Sequence, residues 1–207
     1  MKSGTNISIA FIIVLISVVL ASGCVNQKPE AQKTLMNVTK DGIDYSFTNN
    51  IYDSLKIPIN NETEIRRLIM HAPSISLVFN PSSEQDNSYF TVVLYNTVDK
   101  LKYYYTYTNG KYVDESMYNI YMINGTEFLK LERKNSTWIK SPSDINNIEW
   151  PVLYLKGPNT GASETSVKLS ESGKIIYIQG TDYKNLSLAS ERFVLAVLDV
   201  TEETLSG

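Results

Sequence analysis

The segment from Lys156 to Ser163 has the residue types best suited to binding a ligand. It reads Lys-Gly-Pro-Asn-Thr-Gly-Ala-Ser and follows an apolar run that ends at Leu155. Ligands of open α/β sheets bind beyond the carboxyl ends of strands, and glycine lets backbone N–H groups approach an anion. The two glycines are Gly157 and Gly161, and the polar side chains that would contact the ligand are Lys156, Asn159, Thr160 and Ser163.

The same segment also fits a purely structural role. It lacks the Gly-Lys-Ser/Thr ending of a P-loop and does not match a dinucleotide-binding fingerprint. A strand that leaves a sheet through a tight turn needs glycine for the turn geometry alone. Both interpretations stay open from the sequence, and we favour the tight strand exit.

The sequence points to no catalytic residue, cofactor or metal site. It contains one His and one Cys, which excludes an intrachain disulfide and the usual Cys/His zinc sites. His71 falls at the end of an expected helix, where a cation is stabilising without any catalytic role. Glu84, Asp86 and Asn87 form a weak set of oxygen ligands that we interpret as a solvated loop. An enzyme that uses carboxylates or Ser163 is therefore the last of our hypotheses.

The N-terminus has the three parts of a secretory signal. Lys2 precedes an apolar run from Ile9 to Ala21, and the small residues Ser22 and Gly23 follow. The run is shorter than the ~20 residues that a membrane-spanning helix prefers. We therefore expect the body of the chain to lie outside the cytoplasm, because the positive end of such a segment stays inside.

The residues Ala21-Ser22-Gly23-Cys24 resemble the lipobox of prokaryotic lipoproteins. Ala21 stands where that motif usually has Leu. The resemblance implies cleavage before Cys24, lipidation of its thiol and attachment to membrane lipid; an uncleaved anchor with an incidental Cys is the alternative. We expect a signal over residues 1–23, a lipid-attachment and tether segment over 24–34, and a single extracytoplasmic domain over 35–207.

Composition agrees with one folded domain. The chain has 207 residues, 43% of them hydrophobic, and a formal net charge of −3. Removal of the signal with Lys2 would make that charge one unit more negative. Because there is no basic excess to neutralise a phosphate backbone, we do not expect a nucleic-acid partner.

Periodicity predicts the elements that would position these residues. Alternation over 43–48 indicates a strand, an apolar stripe over 62–71 indicates a helix capped by Asn61 and Glu64, and 74–79 and 152–155 are compact strands. Asn124-Gly125 predicts a hairpin between 117–123 and 126–133. A polar connector is expected over 134–149, a strand pair around Ser172-Gly173, and a last helix capped by Asp182.

The region from Asp86 to Thr108 can be interpreted in two ways. Its apolar residues recur at helical spacing, with Asp86 or Ser88 as the expected cap, but Tyr, Thr and Val favour strands. We favour a helix. The fold class is then α/β or α+β, with a mixed sheet covered by helices in a single domain, whereas an extended region would make the domain mostly β.

Tyrosines and glycosylation sequons are further candidates for surface function. Seven of the 14 tyrosines fall close together and could form a binding surface for protein or glycan, although partial burial is the commoner outcome. They are Tyr103, Tyr104, Tyr105, Tyr107, Tyr112, Tyr118 and Tyr121. The glycosylation candidates are Asn37, Asn124 and Asn135; sequons at Asn61 and Asn185 fall in an expected cap and an expected helix.

The stretch from Leu155 to Gly180, with Asp182, Leu186 and Ala189 after it, is similar to a C-terminal motif of uncharacterised archaeal exported proteins. That resemblance implies an envelope location and no functional residue. Our leading hypothesis is a membrane-anchored (lipo)protein whose domain is a non-enzymatic binding or structural module, with an envelope protein or a glycan as partner. The alternative is a solute-binding lipoprotein that uses the Gly157 to Ser163 loop.

Overall fold

The computed structural model of the protein describes residues 34–108, 118–124, 127–131, 137–139, 148 and 151–206. The expected signal, Cys24, almost all of the tether and Asn135 lie outside these residues. The expected division of the chain into signal, tether and domain therefore stays a prediction.

A seven-stranded mixed sheet forms the centre of the fold, with strand order β6-β5-β4-β3-β7-β9-β8. The pairs among β4, β3, β7 and β9 are parallel, and the remaining pairs are antiparallel. β1 and β2 form a separate hairpin. The strands are β1 Asn37–Lys40, β2 Ile43–Ser46, β3 Ile75–Phe79, β4 Tyr118–Asn124, β5 Glu127–Leu131, β6 Thr137–Ile139, β7 Val152–Lys156, β8 Ser166–Leu169 and β9 Ile175–Gln179.

Five helices accompany the sheet in the described part of the chain: α1 Ile51–Leu55, α2 Glu62–His71, α3 Glu84–Thr108, α4 Tyr183–Val197 and α5 Glu202–Ser206. The predicted fold class is confirmed, and the mostly β alternative is wrong. α3 is a helix despite its Tyr, Thr and Val content because its apolar stripe is buried, including Phe90, Leu94 and Leu101.

The main core lies between the helices and one face of the sheet. Strand residues that alternate with period two face the helices, among them Leu77, Leu153 and Ile176. α4 contacts α1, α2 and α3, and it is buried over most of its length. The opposite face of the sheet carries a smaller cluster of Val78, Val152, Ile175 and Ile148. The helices therefore hold the strands from one side.

Several local predictions are confirmed and three are wrong. The hairpin of β4 and β5, the pairing of β8 with β9, and the Asp182 cap of α4 are all present. Asn61 has positive φ and makes no side-chain cap, while Glu64 binds Arg67 instead. α3 begins at Glu84, and its cap is Ser83, whose hydroxyl accepts the N–H of Asp86 at 3.1 Å. The polar connector contains β6, a short edge strand.

A buried hydroxyl in the central strand β3 gives a prediction about stability. Within the part of the chain that the structure describes, the Oγ of Ser76 is fully buried and has no hydrogen-bond partner. We expect Ser76→Ala to raise the free energy of unfolding by about 1 kcal/mol, because an unsatisfied polar atom is removed from the interior. Urea unfolding measures this change.

Ser54→Ala is the matched control for that substitution. Ser54 is equally buried, but its hydroxyl donates to Glu191 at 3.1 Å. Its replacement should lower the free energy of unfolding by about 1 kcal/mol. Destabilisation by Ser76→Ala of the same size as by Ser54→Ala would contradict the assignment of an unsatisfied hydroxyl.

Candidate functional site

The connections that leave β3 and β7 run to opposite sides of the sheet, and the crevice between these two adjacent strands is the candidate site. β3 continues through α3 to β4 on one side, whereas β7 continues through β8 to β9 on the other side. In open α/β sheets the crevice at such a switch point, beyond the carboxyl ends of the strands, is where ligands bind. The segments that follow β3, β7 and β9 meet at this edge.

Asp86 joins these three segments. Its carboxylate accepts the N–H of Ser82 at 3.0 Å and also the hydroxyl of Ser82. The hydroxyl of Tyr183, which follows β9, donates to Asp86 at 2.6 Å. The amide Nδ2 of Asn159, which follows β7, donates at 3.3 Å. Four donors from three segments therefore converge on one carboxylate. We call this arrangement of Asp86 with Ser82, Asn159 and Tyr183 the Asp86 clamp.

The Asp86 clamp keeps its carboxylate charged. Asp86 has no accessible surface, and it lies just below the surface because Asn159 above it is exposed and Tyr183 is half-buried. Burial by itself raises the pKa of Asp86, but the hydrogen bonds from Ser82, Tyr183 and Asn159 together outweigh burial and lower this pKa below the usual value. The N-terminus of α3 also favours the negative charge.

A pair of stacked tyrosines covers the clamp. The rings of Tyr89 and Tyr183 lie 4.1 Å apart and within 5° of parallel. The hydrogen bond to Asp86 raises the pKa of Tyr183, and burial adds to the rise, so this phenol stays protonated. The ring of Tyr89 on α3 is therefore fixed by a residue that the clamp itself holds.

The surface of α3 next to the clamp exposes large apolar side chains. Tyr89 is 43% exposed, Val92 58% and Tyr95 69%, and these residues follow one another at intervals of three. We call Tyr89, Val92 and Tyr95, together with the stacked Tyr183, the tyrosine surface. Aromatic residues with a polar tip are enriched at binding surfaces because they give rigid contact area.

The Gly157 to Ser163 loop is a tight strand exit. The N–H of Gly157 donates to the hydroxyl of Thr160 at 2.7 Å, and the carbonyl of Gly157 accepts the N–H of Ala162 at 3.2 Å. A Cβ at Gly157 would lie 3.1 Å from the ring of Phe90, and Gly161 has φ of +88°. The glycines therefore serve close packing and turn geometry.

The structure does not bring the six residues predicted to bind a ligand to one common site. Lys156 lies on the opposite face of the sheet, where its Nζ is 4.4 Å from the centre of the Tyr177 ring. Thr160 closes the turn, and Gly161 and Ser163 are exposed. Only Asn159 reaches the clamp. Their role as ligand residues stays a prediction, but they do not converge on one point.

The other candidates lie elsewhere or outside the described residues. His71 is exposed at the end of α2, and Asn37 is exposed in β1 with its side chain accepting the hydroxyl of Ser46. Asn124 ends β4. The interpretation of Glu84, Asp86 and Asn87 as a solvated loop is wrong, because they form the first turn of α3 and Asp86 is buried.

The predicted tyrosine cluster is only partly described. The backbone of Tyr103, Tyr104, Tyr105 and Tyr107 belongs to α3, and that of Tyr118 to β4, whereas Tyr112 lies outside the described residues. Tyr121 is half-buried against the smaller cluster. The sequence pattern does not identify Asp86, Tyr89 and Tyr183 as partners. The spacing of Ser83 and Asp86, three residues apart before an apolar run, was the available indication of a helix start.

A second buried carboxylate, that of Glu191, also accepts several hydrogen bonds from distant segments. Glu191 of α4 accepts the N–H groups of Thr48 at 2.7 Å and Asn49 at 3.2 Å. It also accepts the side chains of Asn49 and Ser54. Asp86 and Glu191 thus both hold loops against the helices through several donors, and their acceptor sites are occupied.

No protein-family model matches this chain, and neither a curated protein nor a solved structure matches it with significant similarity. Within the described ranges, His, Cys, Asp and Glu side chains form no group of three or more that could hold a metal ion. The helices of the described part include none that is long and apolar enough to cross a membrane.

The clamp makes stability depend on pH in the acid range. Because folding lowers the pKa of Asp86, its contribution is complete above the unfolded value of about 3.9 and is lost as pH falls through the lower folded pKa. We expect the free energy of unfolding of the wild type, measured with urea, to fall steeply in that window. Asp86→Asn should show a shallower loss over the same pH range, and equal slopes for both proteins would contradict the assignment.

Proposed function

We propose that the chain is a membrane-tethered, extracytoplasmic binding module whose recognition surface is the tyrosine surface. The observation that carries this proposal is the exposure of Tyr89, Val92 and Tyr95 beside a clamp that fixes Tyr89 through Tyr183. A rigid, exposed aromatic surface loses little conformational entropy on binding, so it is suited to recognition.

The environment of Asp86 favours binding over catalysis. A general base needs a free lone pair within reach of the substrate proton, and a general acid needs a raised pKa. The carboxylate of Asp86 already accepts four hydrogen bonds, and its pKa is lowered. The group therefore has the properties of a structural anion.

The proposed tether rests on the N-terminal sequence alone. Lys2, the apolar run to Ala21 and the single Cys24 support export and lipidation. A single acyl chain binds membranes only marginally, so a stable anchor would carry two chains. Intact mass measurement of protein from its native host tests this: loss of residues 1–23 with added lipid mass on Cys24 is expected. The mass of the full unmodified chain would contradict the tether.

Site-specific photo-cross-linking tests the recognition surface. A photoreactive amino acid at Tyr95 in the full chain, irradiated in intact native envelopes, should give an adduct of defined mass. The same residue at Glu171, which is also exposed but lies in the turn between β8 and β9, is the matched control and should give none. Absence of an adduct at Tyr95, or equal adducts at both positions, would contradict the proposal.

A ligand site at the switch point is the second candidate function. Asn159 is exposed there, and among the described residues its side chain bonds Asp86 and Tyr183 through Nδ2 alone, so its carbonyl oxygen can accept a hydrogen bond from a ligand. The internal hydrogen bonds of the Gly157 to Ser163 loop give this candidate less support, since Gly157 N–H is already bound to Thr160.

A further inference from the structure

We infer that the stacked pair of Tyr89 and Tyr183 binds a quaternary ammonium group, such as that of choline. This inference rests on the proposed function, because it names the chemistry that the tyrosine surface would recognise. A cation placed over the face of an aromatic ring is attracted by the ring quadrupole, and quaternary ammonium groups fit such faces because they carry a diffuse charge on an apolar shell.

The first supporting observation is the link between the ring pair and a buried anion. The phenol of Tyr183 donates to the Asp86 carboxylate at 2.6 Å, a length typical of a strong hydrogen bond to a charged acceptor. Such a bond places electron density on the phenol and makes the ring more negative. The parallel stack brings the ring of Tyr89 within 4.1 Å of this polarised ring.

The second observation is the charge around the pair. No Lys or Arg of the described residues forms an ion pair with Asp86. Glu84 and Asp182 add negative charge at the starts of α3 and α4, and Lys184 is the nearest cation in sequence to Tyr183. The two helix N-termini contribute only about half a positive charge each. The edge therefore favours a cationic ligand.

The third observation is that the surface is apolar as well as negative. Tyr89 is 43% exposed and Val92 58%, and an aromatic ring and methyl groups suit the methyl shell of a quaternary ammonium ion. Asn159 is exposed beside the pair and can accept a hydroxyl proton through its carbonyl oxygen. A strongly hydrated ammonium or metal ion would gain less from these groups, because it must lose its water shell.

Titration with choline and its neutral isostere 3,3-dimethylbutan-1-ol tests the inference. The full chain in a neutral detergent is followed by NMR through the side-chain amide of Asn159 and the ring of Tyr89. Cation–π attraction of about 0.5–1 kcal/mol at an exposed site predicts that choline binds roughly 2- to 5-fold more tightly than the isostere. Equal affinity for the two compounds would overturn the inference.

Variants distinguish the role of the clamp from the role of apolar area. Asp86→Asn should reduce the preference for choline over the isostere, because it removes the charge that polarises Tyr183 while its amide oxygen can still accept the Tyr183 hydroxyl. Tyr89→Leu keeps an apolar side chain, removes the ring and should abolish the preference, which keeps the test valid even where Asp86→Asn folds poorly. Tyr177→Phe, on the opposite face of the sheet and outside the tyrosine surface, is the control and should bind as the wild type does. An unchanged preference in Tyr89→Leu would contradict the inference.

Two sources of the ammonium group can be separated with nanodiscs. Shifts of Asn159 and Tyr89 in phosphatidylcholine discs, absent in phosphatidylglycerol discs, would identify a lipid headgroup. Shifts with free choline alone would identify a soluble ligand. If neither responds while the photoreactive residue at Tyr95 still forms its adduct, the ammonium inference fails and the proposed binding function stands.

Discussion

Replacement of Asp86 by alanine is expected to lower the free energy of unfolding by about 2–3 kcal/mol. The substitution removes the acceptor of four hydrogen bonds and leaves the donors of Ser82, Tyr183 and Asn159 without it. Hydrogen bonds to a charged group contribute about 1.5–3 kcal/mol, and part of this is regained because water can reach the donors. Urea unfolding monitored by circular dichroism measures the loss.

Asp182→Ala is the matched control for Asp86→Ala. Asp182 is also an aspartate at a helix start, where it accepts the N–H of Asn185 at 2.7 Å, but it is exposed and, within the described ranges, joins no second segment. The loss of a simple cap costs about 1 kcal/mol. Equal destabilisation by the two substitutions would contradict the clamp, because Asp86 would then contribute no more than an aspartate that stabilises a single helix start.

Gly180→Ala is expected to destabilise the fold by about 3 kcal/mol, the upper end of the range for overpacking. Gly180 is buried between β9 and α4, and a Cβ there would lie 2.1 Å from the backbone N of Leu186 and 2.4 Å from its Cα. Because these are backbone atoms in the first turn of α4, relief requires a shift of the helix that carries Tyr183. Overpacking of a filled interior costs about 1–3 kcal/mol, and backbone contacts are the least able to yield.

Gly173→Ala provides the control for a glycine that matters only through its dihedral angles. A Cβ at Gly173 meets open space, but φ is +67°. We expect a cost of about 1 kcal/mol from the left-handed conformation alone. Thermal unfolding of both variants tests the comparison, and a Gly180→Ala protein as stable as Gly173→Ala would contradict the close packing of α4 on β9.

Much of the fold could be predicted because its elements follow simple periodicity. The alternation at Tyr45 and the buried stripe of α3 report burial directly, so they predict a strand and a helix. β6 was missed because three residues in a polar segment give too little pattern. The side of the sheet on which the Lys156 side chain lies could be predicted, because Leu155 faces the helices and its neighbour in the strand must face the other way.

The candidate site could not be predicted, because its partners are distant in sequence. Asp86 and Tyr183 are separated by 97 positions, and Asn159 lies between them. Only the strand order, with β3 and β7 adjacent and diverging, brings their loops to one edge. Gly157 and Gly161, which the sequence offered as ligand-binding candidates, serve close packing and turn geometry. The residues that join the segments have no local motif beyond the helix start at Ser83.

The hydrogen bonds and the lowered pKa of Asp86 make it a charged structural clamp and not a proton-transfer group. The most direct test is an NMR titration of the full chain with ¹³C-labelled aspartate, following the side-chain carboxyl of Asp86. We predict a pKa below the ordinary aspartate value of about 3.9. A pKa raised well above that value would contradict the account, because it would identify a carboxylic acid available for general acid–base chemistry.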